Sequence, residues 1–291
     1  MIKKNYLPVI YCLLFFILSF LFLSCSTAAK NSGEIFTLRT QSETWLRAGN
    51  REAEQGKFKE AIVLLTDAKR YAIMADDSSL IIRSCLSRGN VLYSLGISNE
   101  AFAEWEHAVA EAKRFGDEEL LAVSLIYLAR GNLISEKVPA RSVLDEVNRE
   151  SAKIKKNSLF LAFSWQVKGL AHRSLGSFSD AEAAFRRSLE IHLRGKNMEN
   201  ASYDWFTIAS IRSLAGNTQG ALLALQESIK IDQRIENSWG LAASYRAMGD
   251  VYRKIGNNQA DAMYIRARMI YAAMGNDHEV AQMDIRIRNN R

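Results

Sequence analysis

The stretch Arg173 to Leu189, RSLGSFSDAEAAFRRSL, decides the fold. A glycine (Gly176) is followed by an aromatic (Phe178), an alanine five residues after the glycine (Ala181), a second aromatic (Phe185) and a small residue (Ser188). Upstream of the glycine, Phe163, Val167, Leu170, Ala171 and Leu175 recur at helical spacing, and Ala181, Ala184, Phe185 and Leu189 do so after it. The spacing predicts two helices joined at Gly176, which tolerates the left-handed backbone that ends a helix. Gly169 and Ala181 are small because the two helices come closest there. Trp165 and Phe185 fill the gaps beside that contact, each buried ring stabilising by about 1.5–3 kcal/mol.

The same order runs along most of the chain. EQGKFKEAIVLLTDA, Glu54 to Ala68, carries it far upstream. The alanines after the turn are Ala61, Ala101, Ala181 and Ala221, spaced by multiples of forty, with Ala140 and Ala260 completing the series after turns one residue shorter. Seven residues on stand Ala68, Ala108, Val147, Ser188, Ser228 and Ala267. Twelve before the alanine lie Gly49, Gly89, Gly169 and Ala209, with Ala129 and Gly249 one closer. Sixteen before it come Trp45, Cys85, Trp165 and Trp205, with Leu125 and Tyr245 one closer. A repeat of this length means stacked supersecondary units, here helix pairs. Six fill residues 41–276, with expected limits near 42–76, 78–116, 118–156, 158–196, 198–236 and 238–276. The segment 277–291 carries Val280, Met283 and Ile287 on one face, as a capping helix requires.

This pattern resembles the tetratricopeptide repeat in its longer, forty-residue form. The resemblance implies an all-α, right-handed superhelical solenoid of about six helix pairs over residues 41–291, its first helices lining a concave groove where peptides or helices bind. The third unit departs most: it lacks the aromatic, and Glu136 replaces the turn glycine, although Pro139 suits the start of a helix.

The opening of the chain differs in kind. MIKKNYLPVIYCLLFFILSFLFLSCST has Lys3 and Lys4, an apolar run from Leu7 to Leu23, then Ser24-Cys25-Ser26. A basic start, an apolar stretch and a small residue before a cut describe a secretory signal over 1–24. The cysteine at the cut resembles the lipobox of bacterial lipoproteins, although Phe22 stands where leucine is usual. That resemblance implies lipidation of Cys25 and a place in the cell envelope, with the outer membrane favoured because Ser26 is not aspartate. The alternative is an uncleaved membrane anchor, since the run is nearly long enough to span. Residues 25–40 read as a flexible tether. If Cys12 leaves with the signal and Cys25 carries lipid, Cys85 is alone and no intramolecular disulfide forms.

Two prolines among 291 residues favour helix. Of the formal charge of +6, Lys3 and Lys4 supply two, and no acid precedes Cys25, so the rest carries +4. That mild excess argues for solubility and against a nucleic-acid partner. His107, His172, His192 and His278 are far apart in sequence, and no metal, nucleophile or phosphate-loop motif occurs. The reading is therefore a non-enzyme with no cofactor and no metal. Lys153, Lys155 and Lys156 read as favourable charge at a helix C-terminus.

Function is expected in the groove. The residue after the aromatic position is Leu46, Leu86, Ile126, Gln166, Phe206 and Arg246. Further along that face lie Asn50, Asn90, Tyr93, Arg130, Arg173, Asp250 and Arg253. Read as a surface, the first units offer an apolar strip and the last offer arginines. The expected ligand is then a protein or peptide segment, apolar at one end and acidic at the other. The competing reading makes the aliphatics seals between units. At the level of function, a lipid-anchored scaffold stands beside an accessory subunit of an envelope machine for outer-membrane protein insertion, pilus assembly or solute uptake.

Overall fold

The computed structural model describes residues 37–288 apart from Asn157. The expected signal sequence over 1–24, Cys25 and most of the expected tether over 25–40 lie outside the described residues. From Leu38 the described chain is helical: α1 Leu38–Glu54, α2 Phe58–Met74, α3 Ser78–Ser94, α4 Ser98–Phe115, α5 Glu118–Ile134, α6 Ala140–Ser151, α7 Leu159–Ser174, α8 Phe178–Arg194, α9 Met198–Leu214, α10 Thr218–Arg234, α11 Ser238–Lys254, α12 Ala260–Ala273 and α13 Asp277–Arg288. No helix among the described residues is long and apolar enough to cross a membrane.

Each helix packs on the next, so α1 to α12 form six antiparallel pairs and α13 covers the last. Several helix starts are set by short polar side chains, most of them at the first helix of a unit. Asp77 accepts from the Leu80 amide at 3.1 Å, Asp117 from Leu120 at 2.9 Å, and Asn237 from Gly240 at 3.1 Å. Each satisfies an amide that has no partner within its helix. Gly176 ends its helix with φ +74°, and Glu136 in the third unit takes the same left-handed conformation at φ +55°. An acidic side chain is thus held where glycine serves the other units.

The core follows the small-residue register. Ala61, Ala101, Ala181, Ala221 and Ala260 are buried, as are Ala68, Ala108, Val147, Ser188, Ser228 and Ala267. Ala140 is only half-buried at the head of the short α6. A Cβ on Gly169 would lie 2.5 and 2.6 Å from ring carbons of Phe185, and a Cβ on Gly49 would lie 2.7 Å from Leu65. Trp105, fully buried, is pressed by Gly89 of its own unit and by Gly131 of the next. Met283 of α13 is fully buried against the sixth unit, with Val280 and Ile287 packed beside it.

Two features give the stack its inside. Helix α1 reaches α3, α3 reaches α5, α5 reaches α7, and α9 reaches α11, so the first helices of successive units crowd together. The stack also curls until its two ends touch. The turn glycine Gly56 lies against the Trp239 ring at the start of α11, and the rings of Phe58 and Trp239 meet edge-on at 6.1 Å.

Candidate functional site: the inner cavity of the fifth and sixth units

Where the ends meet, a cavity of about 440 Å³ opens among α9, α10, α11, α12, α13 and the end of α1. Its walls are aromatic: Tyr203 and Phe206 from α9, Trp239 from α11 and Tyr271 from α12. Trp239 and Tyr271 meet edge-on at 5.7 Å, which fixes both rings. Four carboxylates border the space, Glu54, Glu199, Asp232 and Glu279, against one cation of the lining, Arg246. Arg246 pairs with Glu279 at 3.3 Å. A second space of about 440 Å³ continues between α9 and α11, sharing Phe206 and Arg246 with the first and adding Asp250 and Lys254.

Buried polar chemistry backs the cavity. Ser202, Ser228 and Ser244 link α9, α10 and α11 through oxygen–oxygen distances of 2.9 and 3.0 Å. Asp232, almost wholly buried in the last turn of α10, accepts from Asn237 Nδ2 at 3.0 Å. Burial pushes its carboxyl up to about 6, against the pull of hydrogen bonds from Ser202, Asn237 and Ser228. Burial and then the nearby charge of Glu199 hold the Glu54 carboxyl above its ordinary value.

A second buried cluster staples the fourth unit to the fifth. Asp204, fully buried, accepts from Gln166 Nε2 at 2.8 Å and Ser188 Oγ at 2.7 Å, and His192 Nε2 lies 3.9 Å away. Burial raises the Asp204 carboxyl to about 7 and lowers His192 to about 4. Both directions favour the uncharged pair, because neither charge is hydrated.

The expected groove residues divide. The exposed apolar strip is corrected: Leu46, Leu86 and Ile126 are buried, because that flank of each first helix faces its neighbours in the stack. Gln166 is likewise buried, its amide committed to Asp204. The same register position opens only in the last two units, where Phe206 and Arg246 line the cavity. Asn50, Asn90, Tyr93 and Arg130 are half-buried and lie apart from it; Tyr93 packs on Trp105 with centroids 5.9 Å apart. Arg173 borders a different space, between α5 and α7. The expectation that arginines await an acidic ligand is also revised. Besides the Arg246–Glu279 pair, Arg253 stacks over Tyr264 and donates to the Arg286 carbonyl.

Sequence reasoning missed Glu54, Glu199, Tyr203, Asp232, Trp239, Tyr271 and Glu279, which stand at no single repeat position. It also missed that Cys85 lies 3.7 Å from His107 Nδ1, near Glu104. There Glu104 is engaged by Lys69 and Arg88, and burial pushes the Cys85 thiol up to about 12. A thiol so held is no nucleophile at neutral pH.

These features define an all-α helical-repeat solenoid. The tetratricopeptide repeat family profile matches residues 164–192, the stretch spanning most of α7 and α8. No curated protein matches the chain by sequence. Among solved structures, the chain is similar to a Rap protein complexed with competence and sporulation factor, with a TM-score of 0.60 and 15% identity over 86% of this chain and 74% of that one. It is similar to BtubC of P. vanneervenii, with a TM-score of 0.56 and 17% identity over 80% and 92% of the two chains. PlcR of Bacillus thuringiensis, in complex with the peptide PapR7 and DNA, gives a TM-score of 0.59 and 12% identity over 75% and 83%. At such identities the likeness shows the fold. The profile marks one tetratricopeptide repeat at residues 164–192, and the likeness to solved structures shows the solenoid fold around it.

Proposed function

We propose that the chain is a binding scaffold that captures a protein or peptide segment on the inner side of its solenoid, at the cavity between the fifth and sixth units. The observation that carries this reading is the pair of adjoining spaces along α9 and α11, each of about 440 Å³, with aromatic rings at one end. Ligand sites are concave and mostly apolar with a few fixed polar groups, and this one has that make-up. Two structural neighbours, the Rap protein and PlcR, are complexed with competence and sporulation factor and with a peptide, which supports the same reading. The scaffold works from a membrane: the leader is cut before Cys25 and lipid on that cysteine tethers the solenoid in the cell envelope. Two or more acyl chains hold a soluble domain stably on a bilayer.

Photo-crosslinking tests the site. A benzoylphenylalanine in place of Phe206 should capture the partner in the cells that make the protein. The same group in place of Val63, 61% exposed on α2, should not. Capture from position 63 alone would refute the inner site. Intact mass of the native protein tests the anchor: a chain retaining Met1 would refute lipidation at Cys25.

A further inference from the structure

The charge around the cavity is only partly balanced by the protein itself: Arg51, outside the lining, acts on Glu54 but forms no ion pair with it. Arg246 is spent on Glu279 at 3.3 Å, which leaves Glu54, Glu199 and Asp232 around the same space. Among the described residues none of these three forms an ion pair. Asp232 is 1% exposed and its nearest partner is a neutral amide, Asn237, at 3.0 Å. It also sits in the last turn of α10, where the helix dipole disfavours negative charge. A buried carboxylate without a counterion is costly, and a cation brought by a ligand would relieve that cost.

The walls point the same way. Aromatic faces carry the negative side of the ring quadrupole, so a cation seated over the face of Trp239, Tyr203 or Phe206 is attracted by the ring as well as by the carboxylates. The space does not end there: it runs on past Phe206 and Arg246 between α9 and α11, more room than one side chain needs. An extended chain could lie along it while one side chain turns into the cavity.

We propose that the cavity receives the positively charged side chain, a lysine ammonium or an arginine guanidinium, of a bound polypeptide segment. This rests on the scaffold reading above and adds the chemistry of what is held.

The test uses the purified full chain and a positional-scanning library of acetylated, amidated hexapeptides, with butylammonium and butylguanidinium as free cations. Sublibraries fixed as Lys or Arg at one position should bind at least about tenfold tighter than those fixed there as Glu or Leu. The double change Glu54→Gln with Glu199→Gln should remove that preference while circular dichroism stays as in the parent and the melting temperature does not fall. Glu199→Gln alone, at a half-buried position, should reduce it in the same direction. Peptide binding with no preference for positive charge would overturn the cation inference and leave the scaffold standing. No binding by any sublibrary or by either free cation would overturn both. Binding of butylammonium without any peptide would overturn the polypeptide source.

Discussion

Replacing Gly169 by alanine adds one methyl group at the closest approach of α7 and α8, and the structure sets two effects against each other. Alanine gains roughly 0.8–1 kcal/mol of helix propensity over glycine. Its Cβ, however, would stand 2.5 and 2.6 Å from Cδ2 and Cε2 of Phe185 and 3.2 Å from the Ala181 carbonyl oxygen. Carbon atoms rest about 3.5–4 Å apart, so the ring must retreat by roughly 1 Å. Phe185 is fully buried and has nowhere to go, and the carbonyl belongs to a helix backbone. Overpacking of this kind costs about 1–3 kcal/mol, which outweighs the propensity gain. Taking the middle of each range, we expect a net loss of about 1 kcal/mol and, at 2–4 °C per kcal/mol for a large domain, a fall in Tm of about 2–4 °C. Circular dichroism melts and urea titrations of the purified chain measure both. In a Phe185→Leu background the methyl fits, so a double-mutant cycle should return a favourable coupling of about 1–2 kcal/mol. A Gly169→Ala chain as stable as its parent, or a coupling near zero, would refute this account of the helix contact.

Asp204 makes stability depend on pH. With its carboxyl raised to about 7, its contribution is complete below its unfolded value and is lost as pH rises through 7. Relative to Asp204→Asn, the parent should therefore lose about 2 kcal/mol between pH 5.5 and pH 8 in urea titrations, and a constant difference would refute a protonated Asp204. His192 acts in the opposite direction, its contribution fading as pH falls towards 4, and the comparison removes only the part of it that does not depend on Asp204, 3.9 Å away. Trp239→Ala should speed hydrogen exchange at both the turn around Gly56 and the start of α11, because one ring serves both; exchange changed at α11 alone would refute the end-to-end contact.

The fold was legible because its determinants are local and repeated. A glycine, an alanine and an aromatic at fixed intervals specify how two helices touch, and six copies average out the irregular third unit. The candidate site was much less legible. Leu46, Leu86, Ile126 and Phe206 hold one register position, yet three are buried and the fourth lines a cavity. The difference comes from how neighbouring units close over that flank, which no single unit encodes. Glu54 and Trp239 come together only through the accumulated rotation of the stack. Their proximity depends on small angles summed over intervening units, and composition carries no trace of it. Gln166 was misplaced for a different reason: a long polar side chain suggests solvent, whereas its partner Asp204 is buried in the next unit.

Stacked repeats usually behave as a one-dimensional chain of coupled elements, in which each terminal element has one neighbour and melts first. The meeting of Phe58 and Gly56 with Trp239 alters that boundary condition, since the first element acquires a second neighbour far away in sequence. Fraying from either end then disturbs the same contact, and the two termini report on each other's state. The cavity has Glu54 at one border and Trp239 at another, so it lies across this seam. A guest that draws its borders together would tighten the whole loop, and one that wedges them apart would loosen both ends. Occupancy would then be readable as stiffness throughout the stack, including at α1, the first of the described helices.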